Sequence, residues 1–230
     1  MTAYFITGTD TGVGKTRTSC ALIHALRRAG HPRVVGMKPV AAGCDWIDGA
    51  GGHPGHWLNE DVAQLRAASS LKVPPAFDNP YALPDAVSPH IAARNADVVI
   101  DIGHIEASFH ALSQHADAVV VEGAGGFIVP LHESAHDFTT SADLATRLRL
   151  PVILVVGLRL GCINHALLTQ EAIARRGLTL AGWVANVIDP DMPEQAANLA
   201  TLQRHLQAPM LAHWGWEPGV GVQGLVLTLP

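Results

Sequence analysis

The 230-residue sequence predicts an α/β fold in which helices cover both faces of a mostly parallel β-sheet. Short apolar runs alternate with helix-periodic segments along the chain, which is the pattern of βαβ units. The clearest run, Pro151–Val156, is apolar at every position, as strands buried on both faces are. A glycine-rich stretch, residues 8–16, separates the first apolar run from the first helical segment. No repeat or linker interrupts the pattern, so we expect residues 1–230 to form one domain.

Composition narrows the class of protein. Hydrophobic residues make up 48% of the chain, enough for one well-buried domain, and the net charge of −5 gives no sign of a nucleic-acid-binding surface. No apolar run is long enough to span a membrane, and the N-terminus has no signal-peptide pattern. The three cysteines are scattered and suggest no disulfide framework. We therefore expect a cytoplasmic protein with reduced thiols that binds neither nucleic acid nor membranes.

The amino-terminal segment has the strand–loop–helix order of a phosphate-binding loop. The run Tyr4–Ile6 predicts the first strand, Gly8–Thr16 the loop, and Lys15–Ala29 the first helix, which Gly30 ends. In such loops, backbone N–H groups wrap a phosphate chain and the helix N-terminus adds positive potential. The sequence therefore predicts a P-loop NTPase-like fold that binds a nucleotide.

Two side chains of this loop have candidate roles. Lys15 would reach the β- and γ-phosphates, and the Thr16 hydroxyl would bind Mg²⁺. The loop departs from the usual pattern, since Thr9 stands where the first glycine belongs and Gly8 lies one residue earlier. A structural turn that merely opens a helix is the alternative at this point.

A second lysine lies at the end of the next predicted strand. Only three of the 15 basic residues are lysines, which suggests that an ammonium group is required where one is kept. Lys38 directly follows the predicted buried strand Val34–Met37 and begins a loop, Lys38–Gly43. Ligands bind at the carboxyl edge of parallel sheets, so Lys38 is a candidate ligand-binding residue. An ordinary solvated surface lysine is the alternative.

The segment after this loop gives weaker signals. Residues 44–58 are polar and glycine-rich, which predicts a mobile loop, and its cysteine and histidines lack the spacing of a zinc site. A helix follows, with Asn59 as its predicted N-cap. The Asp61 carboxylate either favours the helix dipole or binds a metal, and spacing alone favours the first role.

The middle of the chain places an acidic residue at the end of a buried strand. A proline-rich loop leads to Ser88 and Pro89, the predicted N-cap and first residue of a helix. From Asp101, apolar residues recur every three to four positions and predict an amphipathic helix. The buried strand Ala118–Val121 comes next and is followed directly by Glu122. In a chain with a phosphate-binding loop, a carboxylate at this place can reach Mg²⁺ beside the nucleotide.

The carboxyl-terminal half adds two candidate ligand contacts. After Pro151–Val156, glycines precede a helix predicted over about Asn164–Arg176, and their free N–H groups could hold a substrate anion. The next strand, Leu180–Val187, carries Asn186 at its carboxyl end, where an amide could read a base edge. A last helix is predicted over Pro193–Leu206, and the residues beyond it have no clear pattern.

Several motifs, none of them specific alone, are spread over nearly the whole chain. They are Gly8–Thr16, Lys38–Gly43, Asn79–Tyr81, Ser88–His90, Glu122–Gly126, Leu160–His165 and Ala181–Asn186. As a set they make the sequence similar to the dethiobiotin synthase family of ATP-dependent cyclo-ligases. The extra residue in the phosphate-binding loop is the family's own, so the apparent misfit supports the resemblance.

The resemblance implies an ATP-dependent reaction of biotin synthesis. One amine of 7,8-diaminononanoate takes up CO₂, drawn from bicarbonate, to give a carbamate. The carbamate attacks the ATP γ-phosphate and forms a carbamic–phosphoric anhydride, and the second amine then closes the ureido ring and releases phosphate. The resemblance also implies one ATP-binding ligase domain over residues 1–230, Mg²⁺ as cofactor, and a homodimer with the site at its interface.

Catalytic and substrate-binding roles follow from the same resemblance. It implies that Lys15 and Lys38 neutralise the transferring phosphoryl group and that Lys38 also holds the carbamate. The implied catalytic residues are Lys38, Lys15 and Thr11. The implied substrate contacts are Lys38, Ala42, Gly161, Cys162 and Asn164. The last three would come from the second subunit.

Nucleotide and metal contacts are implied in the same way. The implied metal ligands are Thr16, Asp61 and Glu122. For Asp61, the resemblance thus favours metal binding, whereas spacing alone favours the helix-dipole role. The implied nucleotide contacts are Gly12, Val13, Gly14, Lys15, Thr16, Arg17, Asp61, Glu122, Gly123, Ala124, Gly125 and Asn186. Asn186 would recognise adenine.

Three positions depart from the family's pattern. Gly12 stands where the family usually has an acid, and Ala42 where it usually has a hydroxyl that contacts the substrate. Ala212–Gly215 stands where the family tends to have a Gly-x-Ile-Pro-like turn near the adenosine, which bears on base selectivity. None of these changes removes a phosphate or metal group, so we still expect an active enzyme.

Three other classes share a phosphate-binding loop. A MinD-like partitioning ATPase has a second lysine at the start of its loop, where this chain has Thr7 and Gly8, and often ends in a basic amphipathic helix. A GTP-binding switch has an Asn-Lys-x-Asp motif, which this sequence lacks. A cobyrinate-type amide-forming synthetase needs an ammonia-producing domain. The sequence therefore favours the cyclo-ligase.

Overall fold

A computed structural model describes residues 1–49, 55–216 and 225–230 of the chain. Strands and helices alternate along these residues. The strands are β1 (Thr2–Gly8), β2 (Val34–Met37), β3 (Val40–Ala42), β4 (Asp45–Ile47), β5 (His56–Leu58), β6 (Tyr81–Leu83), β7 (Ala118–Glu122), β8 (Pro130–Glu133), β9 (Phe138–Thr140), β10 (Val152–Leu158), β11 (Leu180–Val187) and β12 (Met210–Trp214). The helices are α1 (Lys15–Arg28), α2 (Glu60–Ala68), α3 (Pro75–Asp78), α4 (Pro89–Asn95), α5 (Ile102–Ser113), α6 (Ser141–Leu148), α7 (Cys162–Arg175) and α8 (Gln195–His205).

Six of the strands form one parallel sheet in the order β12–β11–β10–β1–β7–β2. The central strand β1 pairs with β10 on one side and β7 on the other. Their carboxyl ends meet at one edge, since Ile6 pairs with Glu122 and Gly8 pairs with Val155. The phosphate-binding loop after β1 therefore lies at the same edge as the residues that follow β7 and β10.

Helices pack on both faces of this sheet because its strands are apolar on both sides. In β7, Val119 and Val121 point to the face that α5 and α6 cover, while Ala118 and Val120 point to the face that α1 covers. All four side chains are fully buried. The predicted α/β fold, with a mostly parallel sheet between two layers of helices, is confirmed.

Most predicted elements lie where the sequence places them. The strands β2 and β11 have the predicted bounds, and α1 ends one residue before the predicted end. Asn59 caps α2, since its side chain accepts a hydrogen bond from the Asp61 N–H at 3.0 Å. The helix α7 begins at Cys162, two residues earlier than predicted. The Cys162 N–H donates to the Arg159 carbonyl oxygen, and the turn that this hydrogen bond closes leads directly into α7.

The prediction of a loop over residues 44–58 is wrong for the segments that form β4 and β5. The strands β4 and β5 form an antiparallel hairpin in which Trp46 lies opposite Trp57. The two rings meet edge to face with their centroids 5.3 Å apart, and such cross-strand aromatic pairs stabilise sheets. Each strand has only three residues, too few to show an alternating pattern among the glycines. Residues 50–54 lie outside the described residues.

Other local predictions need correction. The Lys38–Gly43 loop contains β3, which pairs in parallel with β6. Ser88 precedes α4 and Pro89 begins it, as predicted, but the Ser88 side chain makes no capping hydrogen bond. The Ile91 N–H donates instead to the Ser88 carbonyl oxygen at 2.9 Å, so the backbone satisfies this donor. In the unpatterned carboxyl-terminal segment, β12 adds a parallel edge strand beside β11.

Candidate active site

A cavity of about 740 Å³ opens at the carboxyl edge of the sheet, beside the phosphate-binding loop. Its walls combine this loop with the end of β2, the starts of α2 and α4, and the glycine-rich turn after β7. These segments are far apart in the sequence and meet because parallel strands end at one edge. The polar and charged side chains on the walls include Lys15, Thr16, Lys38 and Asp61.

A left-handed residue directly before α1 shapes the phosphate-binding loop. Gly14 has φ 97°, and a side chain there would place its Cβ 2.5 Å from Asn186 Nδ2. Only glycine meets both conditions. Lys15 follows and is buried, with its Nζ donating to the Asp10 carbonyl oxygen at 3.0 Å. The ammonium group therefore faces the interior of its own loop.

The acidic charge on this loop comes from Asp10 and not from position 12. Gly12 has φ 73°, and a Cβ there would meet no atom within 4 Å, so the position is open. The Asp10 carboxylate accepts a hydrogen bond from the Thr11 N–H at 2.7 Å and forms an ion pair with Arg159. This ion pair joins the loop to the turn between β10 and α7.

The register of the sheet brings Lys38 beside Glu122. Met37 of β2 pairs with Val121 of β7, so the next residue of each chain segment lies at the same level. Lys38 Nζ donates to Glu122 Oε1 at 2.7 Å and also forms an ion pair with Asp61. Glu122 is fully buried and Lys38 nearly so, and buried charges need such partners.

Thr16 completes a cluster of four side chains at the cavity floor. Its Oγ1 lies 2.8 Å from Asp61 Oδ1 and 2.9 Å from Glu122 Oε1. The hydroxyl from the first turn of α1, the carboxylate from α2 and the carboxylate that ends β7 therefore converge on one point. The residues with predicted metal roles meet here, and Lys38 shares both of their carboxylates.

The cluster shifts the pKa values of its members in directions that charge explains. Burial lowers the pKa of Lys38, but the carboxylates of Glu122 and Asp61 outweigh burial and hold that pKa above its ordinary value. Burial raises the pKa of Asp61, yet the Lys38 ammonium holds it below its usual range. Burial and the charge of Lys38 lower the pKa of Lys15 to about 8. Lys38 is therefore the more firmly charged of the two lysines.

A second polar group lies against the phosphate-binding loop at the end of β11. Asn186 Nδ2 donates to the Val13 carbonyl oxygen at 2.9 Å, and Arg17 Nη1 donates to Asn186 Oδ1 at 3.1 Å. The Arg17 guanidinium carbon lies 5.2 Å from the centroid of the Trp214 ring. The predicted base-reading residue thus touches the loop directly and has Arg17 as a neighbour.

The other predicted site residues divide into those that reach the cavity and those that do not. Residues on its walls include Thr11, Gly12, Gly14, Ala42, Ala124 and Gly125. Gly123 lies just behind, with its N–H donating to the Ile6 carbonyl oxygen at 2.9 Å. Among the described residues, those predicted at the start of α7 do not line the cavity of their own protomer: Gly161, Cys162 and Asn164. Cys162 is buried in the core, whereas Gly161 and Asn164 are exposed.

Sequence reasoning assigned no role to three side chains that shape the site. Asp10 stands inside the loop motif, and Arg159 lies three residues beyond the clearest predicted strand and directly follows β10, so both lie where ligand contacts are expected. The signal for Trp214 is weaker: it lies within Ala212–Gly215, where the family tends to have a turn near the adenosine, and its edge strand mixes buried and exposed positions.

Solved structures resemble the chain in fold at low sequence identity. The MinC:MinD cell division protein complex of Aquifex aeolicus gives a TM-score of 0.56 with 14% identity, over 95% of this chain and 83% of that chain. The signal recognition particle receptor FtsY from Elizabethkingia anophelis gives a TM-score of 0.53 with 16% identity, over 98% of this chain and 61% of that chain. These likenesses show the fold alone and agree with the predicted P-loop NTPase-like class.

Sequence comparisons reach much higher identity. A family model described as an AAA domain matches residues 2–223. The ATP-dependent dethiobiotin synthetase BioD of Aromatoleum aromaticum is 57% identical over 211 residues, 91% of this chain and 88% of the relative. The ATP-dependent dethiobiotin synthetase BioD of Xanthomonas euvesicatoria pv. vesicatoria is 48% identical over 230 residues, 99% of this chain and 98% of the relative. The chain belongs to the dethiobiotin synthetase family.

Proposed function

We propose that this protein combines 7,8-diaminononanoate, CO₂ and ATP to give dethiobiotin, ADP and phosphate, a step of biotin biosynthesis. The observation that carries the proposal, in a chain of this family, is the buried Lys38 on the carboxylates of Glu122 and Asp61, beside Thr16 of the phosphate-binding loop at the cavity floor. A reaction that crowds phosphate and carbamate oxygens together needs positive charge beside them. Lys15 and Lys38 supply it in one ATP-binding ligase domain.

The proposed chemistry has three steps. One amine of the diamine adds to CO₂ and loses a proton, which gives a carbamate. A carbamate oxygen then attacks the γ-phosphorus of ATP and ADP leaves, which gives a carbamic–phosphoric anhydride. The second amine attacks the carbamoyl carbon, and phosphate leaves with the carbamate oxygen that attacked the γ-phosphorus. Loss of a proton completes the ureido ring.

The side chains of the cavity suit these steps. Lys15 bonds the carbonyl oxygen of Asp10 within its own loop, where the terminal phosphates would lie. Lys38 begins on the carboxylate cluster, and its flexible four-carbon stem can turn the ammonium group to a carbamate oxygen. Thr11 lies on the same wall, and its hydroxyl can donate to a transferring oxygen. Preorganised donors of this kind stabilise charge that develops in the transition state.

The donor set at the cavity floor fits Mg²⁺. Thr16, Asp61 and Glu122 offer a hydroxyl and two carboxylates, and Mg²⁺ prefers oxygen ligands. In the described ranges, the buried Glu122 Oε2 makes no hydrogen bond, so this oxygen is available to a ligand. These residues would hold the ion. When bound, Mg²⁺ neutralises charge on the phosphate oxygens during transfer.

The nucleotide would lie along the phosphate-binding loop. Backbone N–H groups of Gly12–Arg17 would wrap the phosphates, with Ala124 and Gly125 on the wall of the same cavity and Gly123 just behind it. Asn186 stands beside Arg17 at the carboxyl end of β11, the edge of the sheet where ligands bind. Its amide would pair with the adenine base.

A second copy of the chain would supply part of the substrate site. Gly161 and Asn164 are exposed at the start of α7, outside the cavity of their own protomer. Leu160 beside them is 86% exposed, and Leu168, one turn beyond Asn164, is 56% exposed. Exposed apolar side chains next to ligand-binding groups favour an interaction surface. A homodimer that buries this face would place the start of α7 at the partner's cavity, where Ala42 and Lys38 also face the substrate.

The cysteines support a cytoplasmic location. All three are unpaired and buried: Cys20, Cys44 and Cys162. Unpaired thiols are typical of a reducing compartment. Within the part of the chain that the structure describes, no helix has both the length and the apolar character to cross a membrane.

Phosphate release and dethiobiotin formation, measured together, test the proposed function. With ATP, diaminononanoate and bicarbonate present, we expect phosphate release that depends on the diamine and equals the dethiobiotin detected by mass spectrometry. Phosphate release that does not change when the diamine is omitted would fit a partitioning-type ATPase and would refute the proposal.

A further inference from the structure

Two fixed partners hold the Asn186 side chain, and each is compatible with only one orientation of the amide. Nδ2 donates to the Val13 carbonyl oxygen at 2.9 Å, and Oδ1 accepts from Arg17 Nη1 at 3.1 Å. A carbonyl oxygen can only accept, and a guanidinium can only donate. Turning the amide by half a rotation would therefore set oxygen against oxygen and N–H against N–H. The carboxamide has one allowed orientation.

Arg17 is itself held in place by an aromatic ring. Its guanidinium carbon lies 5.2 Å from the centroid of the Trp214 ring, within range of a cation–π contact. Trp214 is buried, and its Nε1 donates to the Val226 carbonyl oxygen at 3.2 Å, so the ring is anchored. The aromatic residue in β12 thus fixes Arg17, and Arg17 fixes the amide of Asn186.

The locked amide still has one donor and one acceptor to offer. A carboxamide has two N–H groups and two lone pairs on its oxygen, and the contacts to Val13 and Arg17 use one of each. The remaining pair matches adenine, which presents the N7 acceptor beside the N6 amino donor. Guanine presents two acceptors, N7 and O6, so its O6 would face the lone pair of Asn186 Oδ1.

We propose that Arg17 is a positioning residue that sets the preference for ATP over GTP by fixing the orientation of the Asn186 amide. This inference rests on the proposed function only in that the base of the nucleotide reaches Asn186. Without the guanidinium, a single hydrogen bond to Val13 opposes rotation of the amide. Rotation turns N–H groups toward guanine O6, and the discrimination falls.

Nucleotide affinity without the diamine tests the proposal. Arg17→Met has similar length but no donor, and Arg17→Gln can both donate and accept, so both variants release the amide. Arg17→Lys keeps a group that only donates. We expect the ratio of the ATP and GTP affinities, measured by equilibrium titration with Mg²⁺, to fall about tenfold in the Met and Gln variants and to stay within about threefold of wild type in the Lys variant.

A second comparison separates orientation of Asn186 from direct reading by Arg17. In an Asn186→Ala background, Arg17→Met should cause no further change in the ATP:GTP ratio, because no amide is left to orient. Four results would each overturn the inference. They are a further change of the ratio in the Asn186→Ala background, an unchanged ratio in both the Met and Gln variants, an equal fall of the ratio in the Lys variant, and no ATP preference in the wild type. Absence of dethiobiotin as a product would refute the proposed function and leave this ratio intact, so the two failures are distinguishable.

Discussion

Lys38 has two competing sets of partners. Its ammonium group bonds Glu122 Oε1 at 2.7 Å and pairs with Asp61. The same carboxylates are the proposed metal ligands, together with Thr16. A cation bound between them would repel the ammonium group and weaken both of its ion pairs. Metal binding therefore promotes release of Lys38 toward the cavity. By linkage, release of Lys38 promotes metal binding by the same free energy.

Replacing Lys38 by methionine should stop ring closure and leave nucleotide binding in place. Methionine keeps the length of the side chain without its charge, so the carbamate loses its cation while Lys15 keeps its place in the loop. We expect dethiobiotin formation to fall about a hundredfold or more, while the ATP affinity changes less than about threefold. Turnover and equilibrium titration on one preparation measure both quantities. Equal losses in the two would contradict the carbamate role.

The same variant should bind a divalent cation more tightly without nucleotide. Removing the ammonium group frees the carboxylates of Asp61 and Glu122 from a competing cation. We expect Lys38→Met to raise the Mn²⁺ affinity about tenfold, the size of a typical coupling between two binding events. Electron paramagnetic resonance of free Mn²⁺ measures this affinity. The exposed Lys72 provides a matched control, since Lys72→Met should change nothing. An equal or lower affinity in the Lys38 variant would show that the two cations do not compete.

At the scale of elements, strands with buried apolar runs of four or more residues could be predicted, and three-residue or partly exposed strands could not. The run of β2 has no polar side chain and that of β11 is interrupted only by Asn186, so burial on both faces marks them in the sequence alone. The strand β3 has three residues and forms because β6, far along the chain, pairs with it. The pattern of a three-residue segment carries too little information to reveal such a partner.

The site was predictable in its parts and not in its assembly. The loop motif indicates Lys15 and Thr16, and the place of Glu122 after a buried strand indicates a metal role. The contact between Lys38 and Glu122 joins residues 84 positions apart. It depends on β2 lying next to β7 with Met37 opposite Val121, and sheet order of this kind is set by long-range packing.

The helix α2 carries Asp61 into the site, and its cap should contribute measurably to stability. The Asn59 side chain accepts from the Asp61 N–H and donates to the carbonyl oxygens of Ala42 and Gly43. We expect Asn59→Ala to lower the free energy of unfolding by about 1–2 kcal/mol in urea titrations. Asn59→Ser keeps a capping oxygen and should recover part of this loss. A serine variant no better than alanine would show that the cap itself contributes nothing.

At the scale of the whole molecule, the exposed face of α7 is the feature that one chain alone does not explain. Leu168 lies one turn beyond Asn164 and is 56% exposed, between the polar residues Asn164 and Glu171 on the same side of the helix. A partner protomer would bury it and would close the substrate site at the same time. Nothing in the sequence pattern of α7 distinguishes such a face from an ordinary solvated one.

Leu168→Glu should therefore weaken the proposed dimer and the enzyme together. A carboxylate buried without a partner at the interface is costly, so we expect the dimer to dissociate at concentrations at least about tenfold above those of wild type. Sedimentation velocity over a concentration series measures the shift. Val226 is 78% exposed in the segment that packs on the opposite face of the sheet, so Val226→Glu is the matched control and should leave the association unchanged. A monomeric wild type would contradict the dimer.

The source of the oxygen in the released phosphate tests the proposed chemistry most directly. Ring closure through a carbamic–phosphoric anhydride transfers one carbamate oxygen, which came from CO₂, to the phosphate. With oxygen-18-labelled CO₂, diaminononanoate and ATP, and with the reaction stopped before CO₂ exchanges with water, we predict one labelled oxygen in each phosphate released. Phosphate that takes its new oxygen from water would show hydrolysis of ATP instead and would contradict a carbamate that Lys38 holds beside the γ-phosphate.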